Sequence, residues 1–166
     1  MKKLILIRHA KSSWDNPDLD DKERPLNKRG LEDAPLMANV LKNYNFKIDK
    51  LFSSSALRAK MTAEIFSTEL KLPENLIEYT DELYNASRRS ILNFIKKLND
   101  DLNTIAIVGH NPGLTDLTHF LLYDFDYELP TCAIVGIDLD LDSWANIKSG
   151  TGTLQFFEYP KKYKSE

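Results

Sequence analysis

Leu4-Ile5-Leu6-Ile7-Arg8-His9, near the start of the chain, is the stretch that decides the fold. Four consecutive apolar residues predict a central strand covered on both faces, because a strand with one solvated face alternates apolar and polar residues. A second run of this kind covers residues 104–109 and leads directly into His110. Buried strands of this type are typical of the parallel sheet of an α/β protein.

Helical and strand patterns alternate along the rest of the chain. Apolar residues at helical spacing predict four helices, over residues 30–44, over 56–70, from 87 or 90 to 98, and over 113–122. Ser53-Ser54-Ser55 are N-cap candidates for the second helix, and Ser87 or Ser90 for the third. Short apolar runs predict strands over residues 48–52, 76–79, 132–139 and 153–159. The link between the last two strands is too short for a helical crossover, so one of them is expected to run antiparallel. We therefore predict a three-layer α/β sandwich, with a mostly parallel central sheet and helices on both faces.

Length and composition fit a single globular domain. The chain has 166 residues, of which 42% are hydrophobic and 28% charged, so we expect one domain over residues 1–166, without a sizeable cap insertion. We expect the tail Lys161–Glu166 to be frayed. The formal net charge of −3 argues against a nucleic-acid partner, because binding phosphate backbones requires a basic surface. Cys132 is the only cysteine, so no intrachain disulfide can form, and we interpret it as a small buried residue.

The amino-terminal apolar run is too short for a targeting segment. Arg8, His9 and Lys11 interrupt it where the apolar core of a signal peptide should continue. No stretch approaches the roughly 20 apolar residues of a membrane span. We therefore expect a cytoplasmic protein with no membrane partner, and take a monomer as the default.

Cationic side chains follow three predicted strands at their carboxyl ends. Arg8 and His9 follow the first strand, Arg58 follows the second at helix distance, and His110 follows the strand that ends at Gly109. Loops at the carboxyl ends of parallel strands form the sites of α/β proteins. Arginine forks and backbone N–H groups after Pro112 would suit the oxygens of a phosphoryl group in transfer, and neutral imidazole is a nucleophile near pH 7. If the arginines supply the positive charge, neither a metal ion nor another cofactor is required.

These residues resemble the motifs of the histidine phosphatase superfamily, which has the phosphoglycerate mutase-like fold. Further matches point to the branch that contains the bacterial phosphohistidine phosphatase SixA. The matching blocks follow in the right order from residue 4 to about residue 115, most of the chain. They are Arg8-His9-Ala10-Lys11-Ser12, Arg24-Pro25-Leu26, Gly30, Ser53-Ser54-Ser55-Ala56-Leu57-Arg58-Ala59 with Thr62-Ala63, and Gly109-His110-Asn111-Pro112-Gly113.

The resemblance implies a role for each residue of these blocks. His9 would be the nucleophile that becomes phosphorylated, while Arg8, Arg58 and His110 hold the phosphate, with His110 preferably protonated. Arg24 would reach the phosphate or the leaving group from the preceding loop, unless it only pairs with the acidic residues beside it. The remaining site candidates are the substrate- or phosphate-binding residues Asn111 and Gly113, and the general acid Glu82.

Two departures from the family pattern matter. Ala10 stands where glycine is common, which costs little if the backbone there has negative φ. The clear glutamate acid of the mutase branch is missing, and Glu82 lies only in the corresponding region. A weak acid suits phosphohistidine, whose leaving group can take its own proton, better than an alkyl phosphate.

We therefore expect a metal-independent phosphatase with a phosphohistidine intermediate. Its substrate would be phosphohistidine on a protein, for example a histidine phosphotransfer protein. An alternative is a phosphatase or mutase acting on a small phosphorylated metabolite, which would need Glu82. A second alternative is a regulator that binds a phosphorylated ligand without turnover. We interpret His119 as a structural or surface residue and leave Trp14 open between a substrate platform and simple packing.

Overall fold

A six-stranded sheet forms the middle layer of the protein. The computed structural model describes residues 1–164, and the strands follow one another in space in the order β3-β2-β4-β1-β5-β6. Strands β1 to β4 are parallel, and β5 is antiparallel to both of its neighbours. The fold class and the single reversed strand are thereby confirmed. The strands are β1 (Lys2–Arg8), β2 (Lys50–Ser54), β3 (Ile77–Thr80), β4 (Thr104–Gly109), β5 (Ile134–Leu139) and β6 (Gly152–Glu158).

Four helices cover the two faces of the sheet. They are α1 (Lys28–Asn43), α2 (Leu57–Leu70), α3 (Arg88–Lys96) and α4 (Gly113–Leu121). Successive residues of β1 point to opposite faces, so Ile5 and Ile7 pack in the core under α1 and α2. Leu4 and Leu6 pack in the core under α3 and α4. The continuous apolar run of β1 is thus explained by two separate cores.

Side-chain caps begin two of the helices. Asn27 accepts a hydrogen bond from Gly30 N (2.9 Å) at the start of α1, and Ser87 accepts one from Ser90 N (3.2 Å) at the start of α3. The serines expected to cap α2 do not take that position, because its N-cap is Ala56. Ser54 instead lies at the end of β2, where its hydroxyl serves the site described below.

The carboxyl-terminal tail is more ordered than expected. Residues 160–162 form a 3-10 helix, and Lys164 forms an ion pair with the fully buried Asp33 of α1. Burial makes that carboxylate costly to leave alone, so it fixes the tail where we had expected fraying. The last two residues of the predicted frayed tail, 165 and 166, lie outside the described residues. None of the helices in residues 1–164 has the length and apolar character needed to cross a bilayer.

Candidate active site

The carboxyl ends of β1, β2 and β4 meet at one edge of the sheet. Because β4 lies between β1 and β2, the residues that follow these strands converge on one cavity of about 490 Å³. Six of the predicted residues line it together: Arg8, His9, Arg24, Arg58, His110 and Asn111. The other lining residues are Lys11, Ser12, Trp14, Asp21, Tyr84, Asn85 and Thr131.

The His9 ring is held in one tautomer. Its Nδ1 lies 2.7 Å from the carbonyl oxygen of Ala10, and a carbonyl can only accept, so Nδ1 carries the hydrogen. The Nε2 lone pair is therefore free to attack phosphorus. Burial lowers the pKa of His9 to about 3, helped by His110, Arg58 and Arg8 and opposed by the Ala10 hydrogen bond. The imidazole is consequently neutral and nucleophilic at pH 7.

Ala10 fits the backbone that carries His9. Among the described non-glycine residues, positive φ occurs only at Asn45, Lys71, Asn85 and Cys132, so Ala10 is not strained in place of glycine. Its backbone N–H donates to Thr62 Oγ1 (3.0 Å), and the Thr62 hydroxyl donates to the carbonyl of Arg58 (2.8 Å). Thr62 thus joins the nucleophile loop to the helix that carries Arg58.

The second imidazole, His110, is oriented by Ser54. His110 Nε2 lies 2.7 Å from Ser54 Oγ, which also accepts a hydrogen bond from Ala56 N (3.2 Å). Because a hydroxyl both donates and accepts, this contact fixes the orientation of the ring rather than its tautomer. Nδ1 is buried and has no hydrogen-bond partner within residues 1–164, so it is available to an anion.

Both imidazoles are neutral in the ligand-free site near pH 7. Burial and then the Arg58 charge lower the pKa of His110 to about 4; Asp21 opposes them, and Arg8 and Arg24 add smaller lowering effects. The two ring centroids lie 5.0 Å apart, so the histidines titrate as a coupled pair. A protonated His110, which the family resemblance favours, is therefore expected only once a bound phosphate supplies negative charge.

Asp21 organises two of the arginines. Arg58 Nη1 donates to the backbone carbonyl of Asp21 (2.6 Å), and Arg58 Nη2 donates to one oxygen of the Asp21 carboxylate (3.0 Å). Arg24 Nε lies 3.4 Å from the other oxygen of this carboxylate. The Tyr84 hydroxyl donates to the same carboxylate at 2.8 Å. Burial alone would raise the pKa of Asp21, but hydrogen bonds from Tyr84 and Arg58 outweigh it and lower that pKa. Asp21 is thus an ionised carboxylate that holds the Arg58 and Arg24 side chains in place.

Arg8 is held from the opposite side of the cavity. Its Nη1 donates to the carbonyl of Leu129 (2.8 Å), and Asn111 Nδ2 donates to the same carbonyl (2.9 Å). Asn111 Oδ1 accepts from the backbone N–H (3.2 Å) and hydroxyl (2.9 Å) of Thr115. Asn111 therefore lines the cavity, as predicted for a binding residue, but its amide group is already engaged in positioning Leu129 and, through it, Arg8.

Two predicted residues are not brought to the cavity. Glu82 lies in the 3-10 helix 81–83, where its exposed carboxylate pairs with Lys97 at 3.0 Å, and it does not line the cavity. Gly113 begins α4 but is also absent from the lining. A Cβ at Gly113 would lie 2.1 Å from the carbonyl oxygen of Ala86, so close packing requires glycine there. Within residues 1–164, His, Cys, Asp and Glu side chains form no cluster of three or more that could hold a metal ion.

Comparison with known proteins assigns the family. The model of the histidine phosphatase superfamily (branch 1) matches residues 4–87, half of the chain. The chain belongs to the histidine phosphatase superfamily. It is 27% identical to the phosphohistidine phosphatase SixA of Escherichia coli over 97% of this chain and 96% of that protein.

The whole fold of this superfamily member is similar to that of a solved structure. A structure of the protein histidine phosphatase SixA complexed with tungstate superposes with a TM-score of 0.82 and 26% identity, covering 98% of this chain and 99% of that one. A 2,3-bisphosphoglycerate-dependent phosphoglycerate mutase of Gloeothece citriformis is 41% identical, but over only 42% of this chain and 30% of the mutase. These similarities support a SixA-like phosphatase.

Sequence reasoning missed four residues of this superfamily member's site. Asp21 lies in an acidic run that we had weighed only as a surface partner for Arg24, and Ser54 has the sequence signature of a helix cap. Thr62 lies in a block that matches the family, but its contact with Ala10 was not foreseen, and nothing in the local sequence marks Tyr84, because both contacts are made across the fold. Trp14, whose role we left open, is 73% exposed. The guanidinium carbon of Arg24 lies 3.5 Å from the centroid of the Trp14 ring, so the two side chains stack.

Proposed function

We propose that this chain is a metal-independent phosphatase that carries the phosphoryl group on His9 and dephosphorylates phosphohistidine on a protein. The observation that carries the proposal is the neutral His9 ring, whose Nδ1–H bonds the Ala10 carbonyl so that Nε2 is the nucleophile. Three arginines and a second histidine surround it in one cavity. They supply donors for all three equatorial oxygens of a phosphoryl group.

The reaction takes two displacements at phosphorus. His9 Nε2 forms a bond to phosphorus while the bond from phosphorus to the substrate nitrogen breaks, and the substrate histidine leaves with the electron pair and takes up a proton. Water then forms a P–O bond as the P–Nε2 bond breaks, which releases inorganic phosphate and restores His9. Arg8, Arg58 and His110 stabilise the charge on the oxygens in both steps.

The carboxylates around the cavity favour a phosphohistidine substrate. Asp21 is the only carboxylate that lines the cavity in the described part of the chain, and its hydrogen bonds keep it ionised. Glu82 is paired with Lys97 outside the cavity. An alkoxide leaving group needs a proton from a general acid, whereas the imidazole of phosphohistidine can be protonated on its own ring. The absence of a free acid thus favours nitrogen as the leaving atom.

An open site fits a protein substrate. We propose that the chain is a single domain without a sizeable cap. Its six strands form one sheet with one core on each face, and the segment next to the site that contains Trp14 is a short connection between β1 and α1 with one 3-10 turn, Asp21–Glu23. A histidine on the surface of a phosphorylated partner, such as a histidine phosphotransfer protein, would reach such a site.

The covalent intermediate is tested by intact-protein mass spectrometry. Wild type and His9→Ala are mixed with a phosphohistidine peptide or with p-nitrophenyl phosphate and quenched without acid, which would destroy phosphohistidine. We expect one added phosphoryl group on the wild type and none on His9→Ala. With p-nitrophenyl phosphate, which carries no polypeptide, His119→Gln is the matched control, because it removes the third histidine of the chain, which does not line the cavity.

Turnover of the same samples separates the alternatives. Full activity in His9→Ala would refute the covalent mechanism. Turnover of p-nitrophenyl phosphate but not of the phosphohistidine peptide would favour a phosphatase of small metabolites. Phosphate binding with neither turnover nor adduct would favour a non-catalytic regulator. We expect EDTA to leave turnover unchanged, because the arginines supply the positive charge that a metal ion would otherwise provide.

A further inference from the structure

A second groove adjoins the catalytic cavity. It has a volume of about 450 Å³, and Arg8 lines both the groove and the cavity. Its other walls come from the segment between α4 and β5, which includes Tyr127 and Glu128, and from the end of β6. A substrate whose phosphoryl group lies at His9 must therefore extend over the groove if it leaves the cavity on the Arg8 side.

The wall of this groove is held in place by hydrogen bonds in the ligand-free protein. Three side chains of the loop and helix after β4 hold the segment that forms it. His119 Nε2 donates to the carbonyl of Tyr127 (2.7 Å), Asn111 Nδ2 donates to the carbonyl of Leu129 (2.9 Å), and Thr115 Oγ1 accepts from Leu129 N (3.0 Å). A prebuilt wall lowers the entropy cost of binding. The contact also gives His119 the structural role predicted for it.

Aromatic rings form the apolar part of the groove. Phe157 lies 5.8 Å from Tyr127 and 5.1 Å from Tyr159, measured between ring centroids. Tyr127 is nevertheless 61% exposed, and exposed tyrosine with a fixed backbone is typical of a recognition surface. Such faces bind alkyl chains and attract cations.

The charge of the groove wall is acidic. Residues 123–130 include Asp124, Asp126 and Glu128, all exposed, and no lysine or arginine. Glu128 lies in the groove and makes no ion pair within 4.0 Å in residues 1–164. Arg8 lies in the same groove, where burial lowers its pKa and the more distant Glu128 charge opposes this, but its Nη1 donates to the Leu129 carbonyl rather than to Glu128. Lys162 lies over the Tyr159 ring but is paired with Glu158 at 3.3 Å, so it does not neutralise Glu128. An unpaired carboxylate beside aromatic faces is complementary to a cationic side chain.

We propose that the groove binds a lysine or arginine of the substrate protein, close in sequence to the phosphorylated residue. The inference rests on the proposed function, since it supposes a polypeptide substrate. Because Arg8 lines both the groove and the catalytic cavity, the two are adjacent, and the cation must stand close in sequence to the phosphorylated histidine. The cation contacts the Glu128 carboxylate, and its alkyl stem lies on the tyrosine rings.

Peptides that differ only beside the phosphohistidine test the groove. One carries lysine and the other glutamate at the two positions on each side, and kcat/KM is measured for both. We expect the wild type to prefer the lysine peptide by about five-fold or more, since an exposed ion pair and its reversal differ by that order. Glu128→Lys should remove or invert the preference, and 0.5 M NaCl should weaken it. Glu32→Lys, the same charge change on the exposed outer side of α1, should retain it.

A binding measurement separates the groove from the proposed activity. The Kd of both peptides is measured by calorimetry on His9→Ala, with and without Glu128→Lys. Hydrolysis without any flank preference, or a preference that Glu128→Lys leaves intact, overturns the groove and leaves the phosphatase. Tighter binding of the lysine peptide that depends on Glu128, without hydrolysis by the wild type, supports the groove and overturns the proposed activity. Neither binding nor hydrolysis overturns both.

Discussion

The stability of the folded protein reports the charge state of its two site histidines. Burial lowers the pKa of His9 to about 3 and that of His110 to about 4, whereas a histidine in the unfolded chain titrates near about 6.5. As pH falls through 6.5, the two histidines therefore bind protons in the unfolded chain but stay neutral in the folded protein. The free energy of unfolding should fall with pH from about 6.5 down to the folded values.

The size of the effect between pH 7 and pH 5 follows from these values. Both folded pKa values lie below 5, so the unfolded value alone sets the loss over this range. Each histidine then accounts for about 2 kcal/mol, and the pair for about 4 kcal/mol. Urea denaturation at both pH values, in phosphate-free buffer, measures the change for the wild type and for His9→Gln/His110→Gln.

The double variant isolates the contribution of the pair. It keeps His119 and every carboxylate, so their pH dependence is common to both proteins. We expect the wild type to lose about 4 kcal/mol more than the double variant between pH 7 and pH 5. The same pH dependence in both proteins would refute the neutral, buried pair. Inorganic phosphate should stabilise the wild type by mass action and have a smaller effect on the variant.

Three substitutions test other contacts. Ser54→Ala removes the hydroxyl that contacts His110 Nε2, so we expect a lower kcat and a free energy of unfolding that is lower by about 1–3 kcal/mol in urea denaturation. Unchanged kcat and stability would contradict the role of Ser54 in orienting His110. Glu82→Gln should keep kcat/KM for a phosphohistidine peptide within about two-fold, since an exposed pair contributes little; a large loss would restore Glu82 as the acid. Gly113→Ala should lower Tm, because its Cβ would lie 2.1 Å from Ala86 O, at a cost of about 1–3 kcal/mol; an unchanged Tm would argue against that close packing.

The fold was predictable because its signals are local and repeated. A strand such as β1, with apolar residues on both faces, can lie only between two layers of helices, and its residues divide between two cores. Helix starts were predictable where the cap acts on its own helix, as Ser87 does. The same local rule was wrong for Ser54, because its hydroxyl bonds His110, 56 positions away in sequence.

The site was predictable only where a strand end fixes a residue. Arg8, His9 and His110 follow buried strands, so the topology alone brings them together. Glu82 lies in a 3-10 turn and pairs with Lys97 of a neighbouring segment, a contact that nothing in the local sequence marks. Asp21 sits among four other acidic residues of its loop, and only the folded backbone selects it as the partner of Arg58.

The reversed strand β5 has a consequence for how specificity can change in this fold. Had β5 been parallel, the segment after α4 would have joined the sheet at the edge remote from the catalytic residues. Because β5 is antiparallel, that segment must travel the length of α4 and enters the sheet beside His9, where Cys132 N donates to the His9 carbonyl (3.0 Å). Residues 123–130 therefore border the site although they belong to none of the strands that carry His9, Arg58 and His110. Phe125 and Leu129 tie this segment to the core, whereas Tyr127 and Glu128 are exposed, so substitutions at these two positions would change the rim of the site without altering β1, β2 or β4.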